Sequence, residues 1–104
     1  MHIEIRTDNH IQAGDLGPYV ERTVGSLLAP FVSRITRIDV HLQDANAGKG
    51  GADDKRCMIE ARLEGRKPQA VTHNADTVEQ AIKGAVDKMK RALDSAIGKL
   101  RDGA

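Results

Sequence analysis

Apolar and polar positions along this chain alternate for a few residues, then recur at helical spacing, and the whole sequence is built from that change of period. From His2 to Arg6, Ile3 and Ile5 fall on one side and His2, Glu4 and Arg6 on the other, the period of a half-buried strand. After Gly14 and Asp15, Leu16, Val20, Val24, Leu27, Leu28 and Phe31 recur at helical spacing, with Asp15 placed to cap the helix and Pro18 tolerated in its first turn. Pro30 disfavours helix at Ala29 and helps to end the element. A second strand is predicted over Thr36 to Gln43, with Ile38, Val40 and Leu42 inward and Arg37, Asp39, His41 and Gln43 outward. The stretch Asp44 to Lys55 is rich in glycine, holds no apolar side chain larger than alanine, and reads as a loop between antiparallel strands. Cys57, Ile59, Ala61 and Leu63 mark the inward face of a third strand, and a turn at Glu64 to Pro68 leads into a short fourth strand near Gln69 to His73. From Asp76 the period returns to 3.6, with Val78, Ala81, Ile82, Ala85, Val86, Met89, Leu93, Ala96, Ile97 and Leu100 in one stripe, opened by a predicted capping box of Asp76 with Glu79.

Two amphipathic helices and four strands bury their apolar sides economically when both helices pack on one face of the sheet. The expected fold is therefore an α+β two-layer sandwich, β-α-β-β-β-α, with a four-stranded mixed sheet. A right-handed helical crossover joins the parallel first and second strands, and the remaining strands form a meander.

At 104 residues, two self-supporting cores would each be too small, so residues 1–104 are read as one domain. The aromatic fraction is 2%, which leaves Tyr19 and Phe31 as the only rings in a core otherwise made of aliphatic residues and methionine. No apolar run approaches the roughly 20 residues of a membrane span, and the N-terminus alternates where a signal peptide would be continuously apolar. The single cysteine, Cys57, has no disulfide partner within the chain, and a cytoplasmic location is expected.

The net charge of +1 hides an asymmetry: Thr77 to Arg101 holds six basic and three acidic residues, a local +3 that leaves −2 for the remainder. On a helical wheel Lys83, Lys88, Lys90, Arg91, Lys99 and Arg101 spread across the half-circle opposite the apolar stripe. Catalytic constellations are missing from the pattern. His2, His10, His41 and His73 are scattered and read as surface residues, with His2 and His41 able to share the outer sheet face. Cys57 points inward as a small hydrophobe. Gly48-Lys49-Gly50-Gly51 lacks the frame and the strand-to-helix context of a phosphate loop. Asp39, Glu60 and Glu64 alternate with Arg37 and Arg62 and are expected to form cross-strand charge pairs. An enzyme is the weakest reading, and no cofactor or metal is implied.

The segment Asp76 to Leu93 resembles the last helix of the ribosome hibernation promoting factors and ribosome-associated inhibitors (protein Y). Asp87-Lys88-Met89, Arg91 and Leu93 match that family's DK[LM]xRxL core, and Ile3, Ile5 and Tyr19-Val20-Glu21 resemble its N-terminal part. The resemblance implies a domain that enters the mRNA and tRNA channel of the small ribosomal subunit and holds the ribosome idle under stress by occlusion. It implies rRNA as partner, with no membrane and no small-molecule substrate, and leaves the oligomeric state open. Lys88 and Arg91 carry over as RNA-binding residues, and helical geometry adds Lys83, Lys90 and Lys99. Ending at Ala104, the chain is read as a short form without an additional dimerisation domain. Glu79, Ser95 and Ile97 stand where the family often has tyrosine or lysine, and Thr23 and Ser26 replace frequent lysines. A divergent member acting as a protein-interaction module is therefore the second reading.

Overall fold

Each alternating segment is a strand and each helical-period segment a helix in the computed structural model, which describes residues 2–8, 16–44 and 55–103, with 98–103 as backbone alone. In chain order these are β1 (His2–Thr7), α1 (Leu16–Leu27), a 3-10 turn (Ala29–Phe31), β2 (Ile35–Asp44), β3 (Lys55–Leu63), β4 (Gln69–Ala75) and α2 (Val78–Gly103). The sheet order is β1-β2-β3-β4, with β1 parallel to β2 and the other pairs antiparallel. The expected cap at Asp15 and most of the glycine loop, residues 45–54, lie outside the described residues.

The core is a single cluster drawn from both layers. Val20, Val24 and Leu28 meet Ile38, Val40, Cys57 and Ile59 of the sheet, and Ile82, Val86, Met89 and Leu93 of α2 close it, all at 0% exposure. Phe31 belongs to the core and Tyr19 packs against it half-buried. Tyr19 also donates from Oη to the Glu79 carbonyl at 3.2 Å, which pins α1 to the first turn of α2.

Four local details differ from the sequence expectation, each for a physical reason. The first helix stops at Leu27: Pro30 has no amide hydrogen, and the backbone tightens so that the amides of Phe31 and Val32 donate to Leu28 and Ala29. Strand β2 starts one residue early, at Ile35, because a bulge between Ile35 and Arg37 shifts the alternation by one and turns Ile35 into the core at 4% exposure. Helix α2 is capped by Thr77, a cap that the expected pairing of Asp76 with Glu79 did not name. Thr77 Oγ1 accepts from the Gln80 amide at 3.1 Å, and its carbonyl accepts from the Ala81 amide at 3.0 Å. Asp76 with Glu79 and Thr77 with Gln80 fit the same capping pattern one residue apart, so the pattern alone does not choose between them. Thr77→Ala is expected to cost about 1 kcal/mol of folding free energy by chemical denaturation.

The fourth difference is His73. It is the cross-strand neighbour of Cys57, so its ring lies on the helix-facing side of β4, half-buried against Gly84 of α2. The turn before β4 is closed by Gly65, whose φ of +72° suits glycine.

Candidate nucleic-acid interface

Helix α2 turns its apolar stripe inward, so the cationic side chains predicted to bind RNA stand outward. Lys83, Lys88, Lys90 and Arg91 are all exposed. The structure divides them among three flanks, and the side chain of Lys99 lies outside the described residues.

Lys83 faces α1. With Tyr19, Arg22, Thr23, Ser26 and Leu27 it lines an open groove of about 340 Å³ between the helices. Its Nζ is 3.8 Å from Asp87 Oδ2, one helical turn on, with both side chains largely in solvent. An exposed pair of this length is worth only a few tenths of a kcal/mol, and it leaves the ammonium available to a stronger anion. Lys90 lies further along the same flank, where it borders a groove of about 350 Å³ with Phe31, Arg34, Asp94 and Ile97. Arg91 stands near the outermost point of the helix and makes no ion pair among the described residues. Lys88 leans the other way and donates from Nζ to the Thr72 carbonyl at 2.9 Å, covering a backbone acceptor of the edge strand β4.

Arg22 and Arg34 were missed by the sequence reading. Arg22 shares the groove of Lys83, and Arg34 that of Lys90, so the cationic strip runs along the seam between the helices and is not confined to α2. The available clue was on α1, where Tyr19, Arg22, Ser26 and Leu27 form a flank beside the buried Leu16, Val20, Val24 stripe.

The expected cross-strand charge pairing is corrected by the register. Arg37 lies opposite Arg62, and Asp39 opposite Glu60, so like charges face each other across β2 and β3. Each arginine pairs along its own strand. The Arg37 guanidinium holds Asp39 through Nε at 3.0 and 3.1 Å and through Nη2 at 2.9 Å, while Arg62 Nε lies 3.5 Å from Glu60 Oε1. The hydrogen bond from Arg37, reinforced by its charge and those of Arg62 and Arg6, keeps the Asp39 carboxyl below the usual carboxylate range despite partial burial.

Cys57 is buried, and desolvation pushes its thiol up to about 12, so it carries no thiolate at neutral pH. No group of side chains suited to a metal ion occurs among the described residues. No helix there is long and apolar enough to cross a membrane.

A scan against protein families matches residues 3–101 to the family described as sigma 54 modulation protein / S30EA ribosomal protein. The chain belongs to that family. Family membership agrees with the resemblance drawn from the Asp87 to Leu93 motif, and the family is non-enzymatic. Among solved structures, a ribosomal subunit interface protein from Coxiella burnetii superposes with a TM-score of 0.81 at 15% identity, covering 95% of this chain and 100% of that one. The N-terminal domain of Thermus thermophilus Protein Y gives 0.72 at 23% identity, covering 91% of this chain and 98% of that one. At these identities the two structures establish the S30EA fold and leave the functional surface to be argued from this chain's own residues. No curated protein matches the sequence.

Proposed function

We propose that this protein binds the small ribosomal subunit in the cytoplasm and holds ribosomes idle by filling the channel that messenger and transfer RNA would occupy. Membership of the S30EA ribosomal family supports a ribosomal partner. The observation that carries the mechanism is the exposed cationic strip of Lys83, Lys90 and Arg91 with Arg22 and Arg34, borne by a chain whose net charge is only +1. Cations concentrated on one face neutralise rRNA phosphates and release counterions, while A-form RNA offers shape and backbone more readily than base sequence. Lys88 joins this surface by exchanging the Thr72 carbonyl for a phosphate oxygen, a change confined to one flexible side chain. Lys99, the remaining residue expected to bind RNA, follows on the same helix, with its side chain outside the described residues.

Co-sedimentation with purified small subunits across a salt series tests the proposal. Wild-type protein is expected to pellet with the subunits at low salt and to be released as salt rises. Each phosphate contact contributes about 0.9 to the slope of log affinity against log salt, so Lys90→Glu with Arg91→Glu should flatten it by about two. Wild-type protein that stays in the light fraction at low salt would falsify the ribosomal reading. A variant that pellets like wild type would remove the cationic strip from the mechanism.

A further inference from the structure

The outer face of the sheet, on the side away from both helices, arranges its charges in rows. One row across the strands is His2, Arg37 and Arg62; the next is Glu4, Asp39 and Glu60; the third begins with Arg6 and His41 and continues to Met58. One step further along, Arg56 sits opposite Gln43 and Asn74. Charges of one sign directly opposite one another on neighbouring strands are costly unless something offsets them. The acidic row is offset by the first row: His2 Nε2 lies 2.9 Å from Glu4, Arg37 grips Asp39, and Arg62 reaches Glu60. The cations beyond it lack so close a carboxylate among the described residues. Arg6 and Arg56 are exposed and make no ion pair among the described residues, and the half-buried His41 lies beside Arg6. A shallow depression of about 330 Å³ is lined by Arg6, His41 and Met58 on this side and reaches across Asp39 and Glu60 of the acidic row to Arg37 and Arg62.

We infer that this face is a second rRNA contact, with Arg6, Arg56 and His41 receiving phosphates, so that the domain is held by RNA on both its helical and its sheet surfaces. The inference rests on the ribosomal reading above. Two features favour a phosphate backbone over a protein surface. The outward cations on the strands are arginines, whose planar forks match phosphate oxygens in pairs. The face also has no aromatic or aliphatic centre to be desolvated, only Met58 at 36% exposure, whereas protein interfaces draw their affinity from such anchors. The acidic row sets a boundary, because a phosphate backbone crossing Glu4, Asp39 and Glu60 meets repulsion and is confined to the Arg6 and Arg56 side.

The test uses the full chain with purified small subunits. Arg6→Gln with Arg56→Gln should melt like wild type, because both side chains are exposed, and should flatten the salt slope by about 1.4 to 1.8. Over a fourfold rise in salt the loss of affinity then shrinks by roughly tenfold. Arg6→Lys with Arg56→Lys keeps the charge and is expected to restore the wild-type slope. A second readout does not depend on those variants: the buried native thiol is inert, so Met58→Cys creates an accessible one for a short photoreactive label, expected to crosslink to rRNA. A wild-type slope in the glutamine variant, or a label that crosslinks only to ribosomal protein or to a second copy of this chain, overturns the inference. The ribosomal reading survives that result as long as Lys90→Glu with Arg91→Glu still releases the protein. If wild-type protein does not bind subunits at all, both fall together.

Discussion

Leu93→Ala is expected to remove about 2–5 kcal/mol of folding free energy, measured as a lowered urea midpoint at constant slope. Leu93 is completely buried among α2 residues that close the core, and alanine is at least as good a helix former, so helix propensity adds nothing to the loss, which is one of packing. The removed side chain forfeits its transfer free energy and leaves a cavity that the sheet cannot fill without bending. The core has little to spare. Phe31 is its one buried ring and Tyr19 is only half in, so stability is spread over many small side chains, and a domain of this size holds about 5–15 kcal/mol in total. The melting temperature should fall by about 10–30 °C. Ser95→Ala, on the exposed side of the same helix, serves as the comparison and should change stability by less than about 0.5 kcal/mol. A Leu93→Ala variant that loses less than about 1 kcal/mol would show that this part of α2 is not packed against the core.

The architecture was legible in the sequence because each element had one dominant period and one uncovered apolar side. Ile3 and Ile5, then Ile38, Val40 and Leu42, then Cys57, Ile59 and Ala61 alternate cleanly, and the long stripe of α2 has no helical competitor. What escaped were features decided by partners elsewhere in the chain. The bulge that buries Ile35 depends on where β3 pairs, and the choice between Asp76 and Thr77 as cap depends on how α2 leaves the sheet. The pairing of Arg37 with Asp39 could not be foreseen without the register that sets Arg37 against Arg62. Alternation says which side a residue faces, and only the register says what it faces.

The same distinction governs the candidate interface. That Lys83, Lys88, Lys90 and Arg91 point outward follows from the stripe on the other side of the helix. Their separation into three flanks follows from what α2 crosses: α1 and then the 3-10 turn lie beside the flank of Lys83 and Lys90, the β4 edge lies beside Lys88, and Arg91 stands between them toward solvent. Arg22 and Arg34 join the strip because their elements run beside α2, a proximity with no counterpart in linear spacing.

Gly84→Ala is expected to destabilise the wild-type protein and to stabilise a His73→Ala variant, a reversal of sign at one position. In an ordinary exposed helix, glycine to alanine gains about 0.8–1.0 kcal/mol from reduced backbone freedom in the unfolded chain. Here a Cβ built at Gly84 would overlap Cδ2 and Nε2 of the His73 ring and lie 2.6 Å from its Cγ. Cγ is the root of the ring, so the imidazole cannot bend out of the way at its tip. The whole side chain must move, and overpacking of this kind costs about 1–3 kcal/mol, enough to outweigh the helix gain. His73 Nδ1 is buried with no hydrogen-bond partner among the described residues, so the ring is held by contact with Gly84 and the strand more than by any polar anchor. Removing the ring discards that unsatisfied atom and opens the space the alanine methyl needs. The four-variant cycle should therefore give a favourable coupling of about 1–3 kcal/mol between the two substitutions, read from denaturation midpoints. Additive effects would mean that β4 and α2 do not approach as closely as the ring contact requires. The same seam places Lys88, one helical turn beyond Gly84, over the Thr72 carbonyl beside His73. A shift of the strand against the helix would release that ammonium, so the cycle also measures how firmly the packing holds one of the cations proposed to meet RNA.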